Sequence, residues 1–135
     1  MKYLMLAAVA VAVLAGCSTP SMRGEHEDAF KFRAAGQIDA GRLPQFMDCV
    51  LDTFVEEQRR VNALVYQWKR STGYRIDLKT DKFLLLSADI YDDGRTQLLE
   101  GPAAGMLPTG AEIERYERCV ATHGRALSES PIKMK

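Results

Sequence analysis

Few side chains in this 135-residue chain can do covalent or acid–base chemistry. There are three cysteines, Cys17, Cys49 and Cys119, and two histidines, His26 and His123. A histidine beside a free thiol can generate a nucleophile, and His123 follows Cys119 by four residues. No local signature such as G-x-S-x-G marks a nucleophile, however, and His123 just before Gly124 suits the last turn of a helix, where imidazole favours the dipole. The histidines share no ligand spacing with the cysteines, so neither a metal nor a cofactor is expected. Asp89, Asp92 and Asp93 gather carboxylates at one strand end. Calcium needs six to eight oxygens, and Asp92-Asp93-Gly94 reads instead as a turn in which Asp bonds to its own backbone. Glu56, Glu57, Arg59 and Arg60 read as a solvated helix end, and Ser71-Thr72-Gly73 as a turn, not a phosphate loop.

The remaining thiol stands in a different setting. Lys2 precedes an apolar run from Leu4 to Leu14, which closes on the small residues Ala15 and Gly16 before Cys17. That is the anatomy of a secretory signal, and the run is shorter than the roughly 20 residues a membrane span needs. Leu14-Ala15-Gly16-Cys17 resembles the lipobox of bacterial lipoproteins, although the single Lys2 makes a minimal n-region. The resemblance implies diacylglycerol on the Cys17 thiol, cleavage of residues 1–16 and acylation of the new amine. Ser18, where inner-membrane retention in that family uses Asp, implies an outer-membrane destination facing the periplasm. Leu43-Pro44-Gln45-Phe46-Met47-Asp48-Cys49 and Leu86-Ser87-Ala88-Asp89, leading to Asp92-Asp93-Gly94-Arg95, also resemble stretches of small Gram-negative envelope lipoproteins.

With Cys17 assigned to lipid, Cys49 and Cys119 are left over in an exported chain and are expected to pair. Such a long closed loop would stabilise the fold by about 4 kcal/mol. Cleavage removes one charge, Lys2, leaving one more acidic than basic residue. That balance gives no footprint for nucleic acid and no polybasic arm, so the lipid itself should make the membrane contact. The length suits one domain.

Residues 17–28 read as a lipidated flexible tether, 29–127 as the domain and 128–135 as a frayed tail. Asp28 to Gln37 can form a short helix, and Phe30 and Phe32, two apart, suit a strand equally. Leu43, Phe46, Met47, Val50, Leu51 and Phe54 give a helical stripe, with Pro44 in its first turn. Asn62 to Arg70 either continues that helix or, as preferred, forms a strand that turns at Ser71–Gly73 into Tyr74–Leu78. Phe83–Tyr91 is the clearest strand, with Asp92–Gly94 as its hairpin and Thr96–Glu100 as the return. Thr109-Gly110-Ala111-Glu112 has the capping-box pattern ahead of Ile113, Tyr116 and Val120, and Gly124 ends the helix. Cys49 and Cys119 sit on the flanks of their stripes, as a helix-to-helix bridge requires.

The expected fold is a two-layer α+β domain. A four-stranded antiparallel meander carries an N-terminal and a C-terminal helix on one face, joined by the disulfide. Leu84, Leu86, Ala88 and Ile90 then face the helices, while Phe83 and Leu85, joined by Val65, form an outward apolar patch unless Phe30 and Phe32 fold over it. The function this suggests is a non-enzymatic binding or adaptor module that docks an envelope protein through the sheet face or an edge strand. An inhibitor or exclusion factor blocking an outer-membrane receptor would use the same patch. A small envelope hydrolase would need Asp89, Asp92, Asp93 and His123 in one pocket, which this topology gives no reason to expect.

Overall fold

The computed structural model describes residues 27–105 and 108–131, so Cys17, the expected signal segment and most of the expected tether lie outside the described residues. After a single 3-10 turn at Glu27–Ala29 comes β1 (Lys31–Ile38), then α1 (Leu43–Val61). A meander follows through β2 (Leu64–Arg70), β3 (Gly73–Lys79), β4 (Leu84–Tyr91) and β5 (Arg95–Glu100). The chain closes with α2 (Gly110–His123) and β6 (Gly124–Leu127). Among the described residues no helix is long and apolar enough to cross a membrane.

The helices form where the apolar stripes require them. Phe46, Val50 and Phe54 of α1 are fully buried, and Pro44 sits in the first turn, where a missing N–H costs no hydrogen bond. The helix stops at Asn62, whose left-handed backbone (φ 52°) returns its N–H to the Gln58 carbonyl. That stop decides the ambiguous segment in favour of a strand. In α2, Ile113, Tyr116, Cys119 and Val120 are buried. The capping box does not form: the Thr109 hydroxyl donates to Glu100 Oε2 at 2.9 Å and makes no cap to the helix backbone. Gly124 does not end α2 by a left-handed turn either. Its backbone is extended (φ −176°) and passes straight into β6.

The sheet has six strands, not four, in the order β2-β3-β4-β5-β1-β6, and every pairing is antiparallel. The expected meander is its β2–β5 part. The segment Asp28–Gln37, which the sequence leaves open between a short helix and a strand, contains β1, paired with β5 on one side and β6 on the other. Two ladders satisfy its backbone, which outweighs the helical tendency of Ala34 and Ala35. Gly36 also fits there for a steric reason. A Cβ at that point would run into Val120 Cγ1 and lie 3.0 Å from the Arg125 carbonyl, so a bare backbone lets α2 settle onto the strand. At the β4–β5 turn, Gly94 takes φ +90°, and the Asp93 carboxylate accepts from the Arg95 backbone N–H at 3.1 Å.

Both helices lie on one face, over a core that includes Ile38, Ile76, Leu78, Leu86, Ala88 and Leu98. The expected bridge is present, with Cys49 and Cys119 joined at a Cα separation of 5.9 Å. Glu56 and Arg115 form an ion pair between the same helices. At the centre, buried Thr96 donates its hydroxyl to the Asp89 carbonyl at 2.8 Å, so Tyr116 O–H must be the donor in its 2.7 Å contact with Thr96. Burial holds the Tyr116 phenol far above its ordinary ionisation range, and the nearby Asp89 charge adds to the effect.

Candidate functional site

The outward patch expected at Phe83, Leu85 and Val65 does not form: Leu85 is buried, and Phe83 and Val65 are half-buried against the core. A register shift between Leu78 and Lys79 puts Lys79 opposite Leu84, and this bulge reverses the alternation at the start of β4. Leu85 is therefore fully buried in the core under the helices, and Phe83 and Val65 pack against that same core. Leu84 takes the other face, in a small cluster with Phe30 and Leu99. Phe30 thus does fold back onto the sheet, but over Leu84 and Leu99.

The apolar surface lies elsewhere. Four of the five exposed large hydrophobic residues among those described flank one edge: Leu64 (45 %), Tyr66 (37 %) and Trp68 (45 %) on β2, and Val55 (42 %) on α1. Val55 and Leu64 line one shallow cleft with Ala63. Tyr66 and Trp68 stack with centroids 5.8 Å apart, and Lys79 Nζ caps the Tyr66 ring at 5.5 Å. The Trp68 indole N–H donates to Asp77 Oδ2 at 3.0 Å, which fixes the ring upright on the sheet.

Those rings border a polar row. Trp68, Arg75, Asp89 and Gln97 are successive cross-strand partners on the face away from the helices. Asp89 accepts from Arg75 Nε at 2.9 Å and from Gln97 Nε2 at 2.8 Å, with Arg70 a further 3.7 Å ion pair. Ser130 Oγ donates to Gln97 Oε1 at 2.5 Å, so the segment after β6 reaches back to the sheet. The rest of the expected tail, 132–135, lies outside the described residues.

Strand β2 also has unused backbone. Arg70 and Gly73 flank a two-residue loop and are a mutually hydrogen-bonded pair, so the alternation turns Leu64, Tyr66, Trp68 and Arg70 toward β3. The N–H and C=O groups of Val65, Gln67 and Lys69 then point outward. No described strand pairs with that side of β2. An edge with free ladder groups and apolar side chains suits the addition of a further strand.

The candidate acid–base groups are held in separate places. Asp89 belongs to the polar row just described. Asp93 is held below the usual carboxylate range, first by the Arg95 backbone N–H and then by the Arg95 side chain. His123 Nδ1 faces the Arg42 guanidinium at 3.0 Å, and its ring packs edge-on to Phe46. A guanidinium can only donate, so Nδ1 is the acceptor. Asp92 and Asp93 line a cleft of about 300 Å³ with Asp39 and Gly41, and neither Asp89 nor His123 is among its lining residues. Cys49 and Cys119 line a second cleft with Asp52, Arg115 and Arg118, but as a disulfide they offer no thiolate. Among the described residues no group of His, Cys, Asp and Glu is arranged to hold a metal ion.

Comparison with protein-family models, curated proteins and solved structures returns no match. Sequence reasoning missed Leu64, Tyr66 and Trp68 as surface residues. The period-two spacing of these residues was available as a signal, but nothing local says that β2 is an edge.

Proposed function

We propose that this protein is a lipid-anchored docking module of the outer membrane, held through Cys17 and facing the periplasm, which binds an envelope protein without catalysis. The observation that supports this reading is the β2 edge. It combines outward ladder groups at Val65, Gln67 and Lys69 with an upright row of Leu64, Tyr66 and Trp68. An added strand would take its affinity from main-chain hydrogen bonds and its selectivity from side chains set against that row. Tyrosine and tryptophan supply large contact area at low entropic cost, which is why such rings dominate docking surfaces. The anchor at Cys17 would supply the rest by confining the module to a membrane layer, where a weak edge contact gains from a raised effective concentration.

A photo-activatable aromatic amino acid at Trp68, introduced into the full chain in its native envelope, tests this. The expected result is one discrete adduct on irradiation, and none from the same probe at exposed Glu114 on α2. Equal labelling from both positions, or none from Trp68, would remove the reading.

A further inference from the structure

We propose that the strand added to the β2 edge is β2 of a second copy, paired antiparallel about a two-fold axis through Gln67. The inference rests on the reading of β2 as a docking strand and gives that strand a specific partner.

Self-pairing is restricted to few registers. Ladder bonds form only between residues whose N–H and C=O groups both point outward, here Val65, Gln67 and Lys69. The register centred on Gln67 sets Gln67 against its own symmetry mate and Val65 against Lys69, and brings all seven residues of β2 into the ladder. It forms about six new backbone hydrogen bonds. Any other self-pairing leaves part of the strand unmatched.

The side chains select the same register. Tyr66 comes opposite Trp68 of the partner copy, and Trp68 opposite its Tyr66, so four rings meet on the outer face in two aromatic cross-strand pairs. Leu64 faces the aliphatic stem of Arg70. Lys69 and Arg70 of the two copies lie at opposite ends of the ladder, whereas a register centred on Lys69 would set the two Lys69 ammonium groups against each other. Like charges in direct opposition destabilise a strand pair.

The course of the chain fits this arrangement. A two-fold axis normal to the sheet leaves both outer faces pointing the same way. Phe30, at the N-terminal end of the domain, packs on that outer face against Leu84 and Leu99. Tyr66, Asp77, Ser87, Leu99 and Phe32 are successive cross-strand partners there, so Phe30 and the aromatic row share one side. Both N-terminal segments therefore enter their domains from the same side of the dimer, and two lipid anchors can sit in one bilayer without twisting either domain. Two anchored copies would also hold more acyl chains in the membrane than one.

Site-directed cross-linking of the full chain in membranes tests the register. Gln67→Cys should give a covalent dimer under mild oxidation, and Lys69→Cys should not, because in this register the two Lys69 Cα atoms are roughly 14 Å apart. The reverse pattern, or no dimer from either variant, overturns the proposal. The mass of the unmodified protein in detergent gives a second reading, with a dimer expected. Trp68→Lys should weaken it by about tenfold or more by removing both aromatic pairs. Trp68 is exposed, and a lysine there can still reach Asp77, so an unchanged thermal melt will show that the variant is folded. A monomeric wild type with no Gln67→Cys dimer, but with a Trp68 photo-adduct to a different protein, would refute self-pairing and leave the docking edge standing. The same monomer with no photo-adduct would remove both.

Discussion

Reduction of the Cys49–Cys119 bridge is the perturbation whose magnitude follows most directly from the structure. The bridge joins residues 70 apart in sequence and ties α1 to α2 on one face of the sheet. In the chain-entropy description, opening a loop of that length returns about 15 cal/mol/K to the unfolded chain, which is about 4 kcal/mol at room temperature. For a domain of this size each kcal/mol moves the midpoint by roughly 4–8 °C, so reduction should lower it by roughly 15–30 °C. Differential scanning calorimetry of the same protein with and without a phosphine reductant measures this without changing any other atom. The mechanism makes a second demand. An uncross-linked chain unfolds to a more expanded state, so the dependence of stability on urea should steepen when the bridge is opened. A midpoint shift below about 5 °C with an unchanged urea slope would refute the loop-entropy argument.

Four other outcomes are expected. Tyr116→Phe leaves the buried Thr96 hydroxyl without its incoming donor and should cost about 1–2 kcal/mol in urea titration. Because burial raises the Tyr116 phenol above its ordinary value of 10.0, wild-type stability should be intact below that pH. It should fall as the pH rises past it, where only the unfolded phenol loses its proton, and Tyr116→Phe should flatten that slope in a pH series. Gly36→Ala should cost about 1–3 kcal/mol by overpacking against Val120, with Val120→Ala in the same chain recovering part of the loss. Asp89→Ala strands Arg75 and Gln97 under the outer face and should cost about 3 kcal/mol or more by chemical denaturation. Cys17→Ala should abolish metabolic labelling by palmitate and leave the precursor uncleaved, and persistent labelling would end the lipoprotein reading.

The two helices, the β2–β5 meander and the bridge could be read from residue spacing because each rests on local chemistry. Phe46, Val50 and Phe54 repeat at the helical period, and Asp92-Asp93-Gly94 carries its own turn geometry. What escaped depends on neighbours far along the chain. Strand β1 has a weak pattern in part because Gly36 is bare to admit α2, a requirement set by Val120 more than 80 residues later. Strand β6 is four residues long and exists because β1 offers it an edge. The Leu84–Leu85 reversal comes from a bulge whose partner strand decides the register, and so the patch moved from Phe83 and Leu85 to Tyr66 and Trp68. Thr109 and Glu112 looked like a reciprocal cap, but Glu100 competes for the threonine hydroxyl.

The place of β1 in the sheet has a mechanical consequence. It is the first strand, yet it lies between β5, which pairs with it from Lys31 to Gln37, and β6, which pairs with it from Ala35 to Ile38. A pull applied at Lys31 along the axis of β1 would act at right angles to the hydrogen bonds of both ladders. Those bonds are loaded in shear and must yield together, whereas a terminal edge strand pulled from its corner would peel one bond at a time. The end of the chain that would carry the anchor is thus the end best built to bear a load.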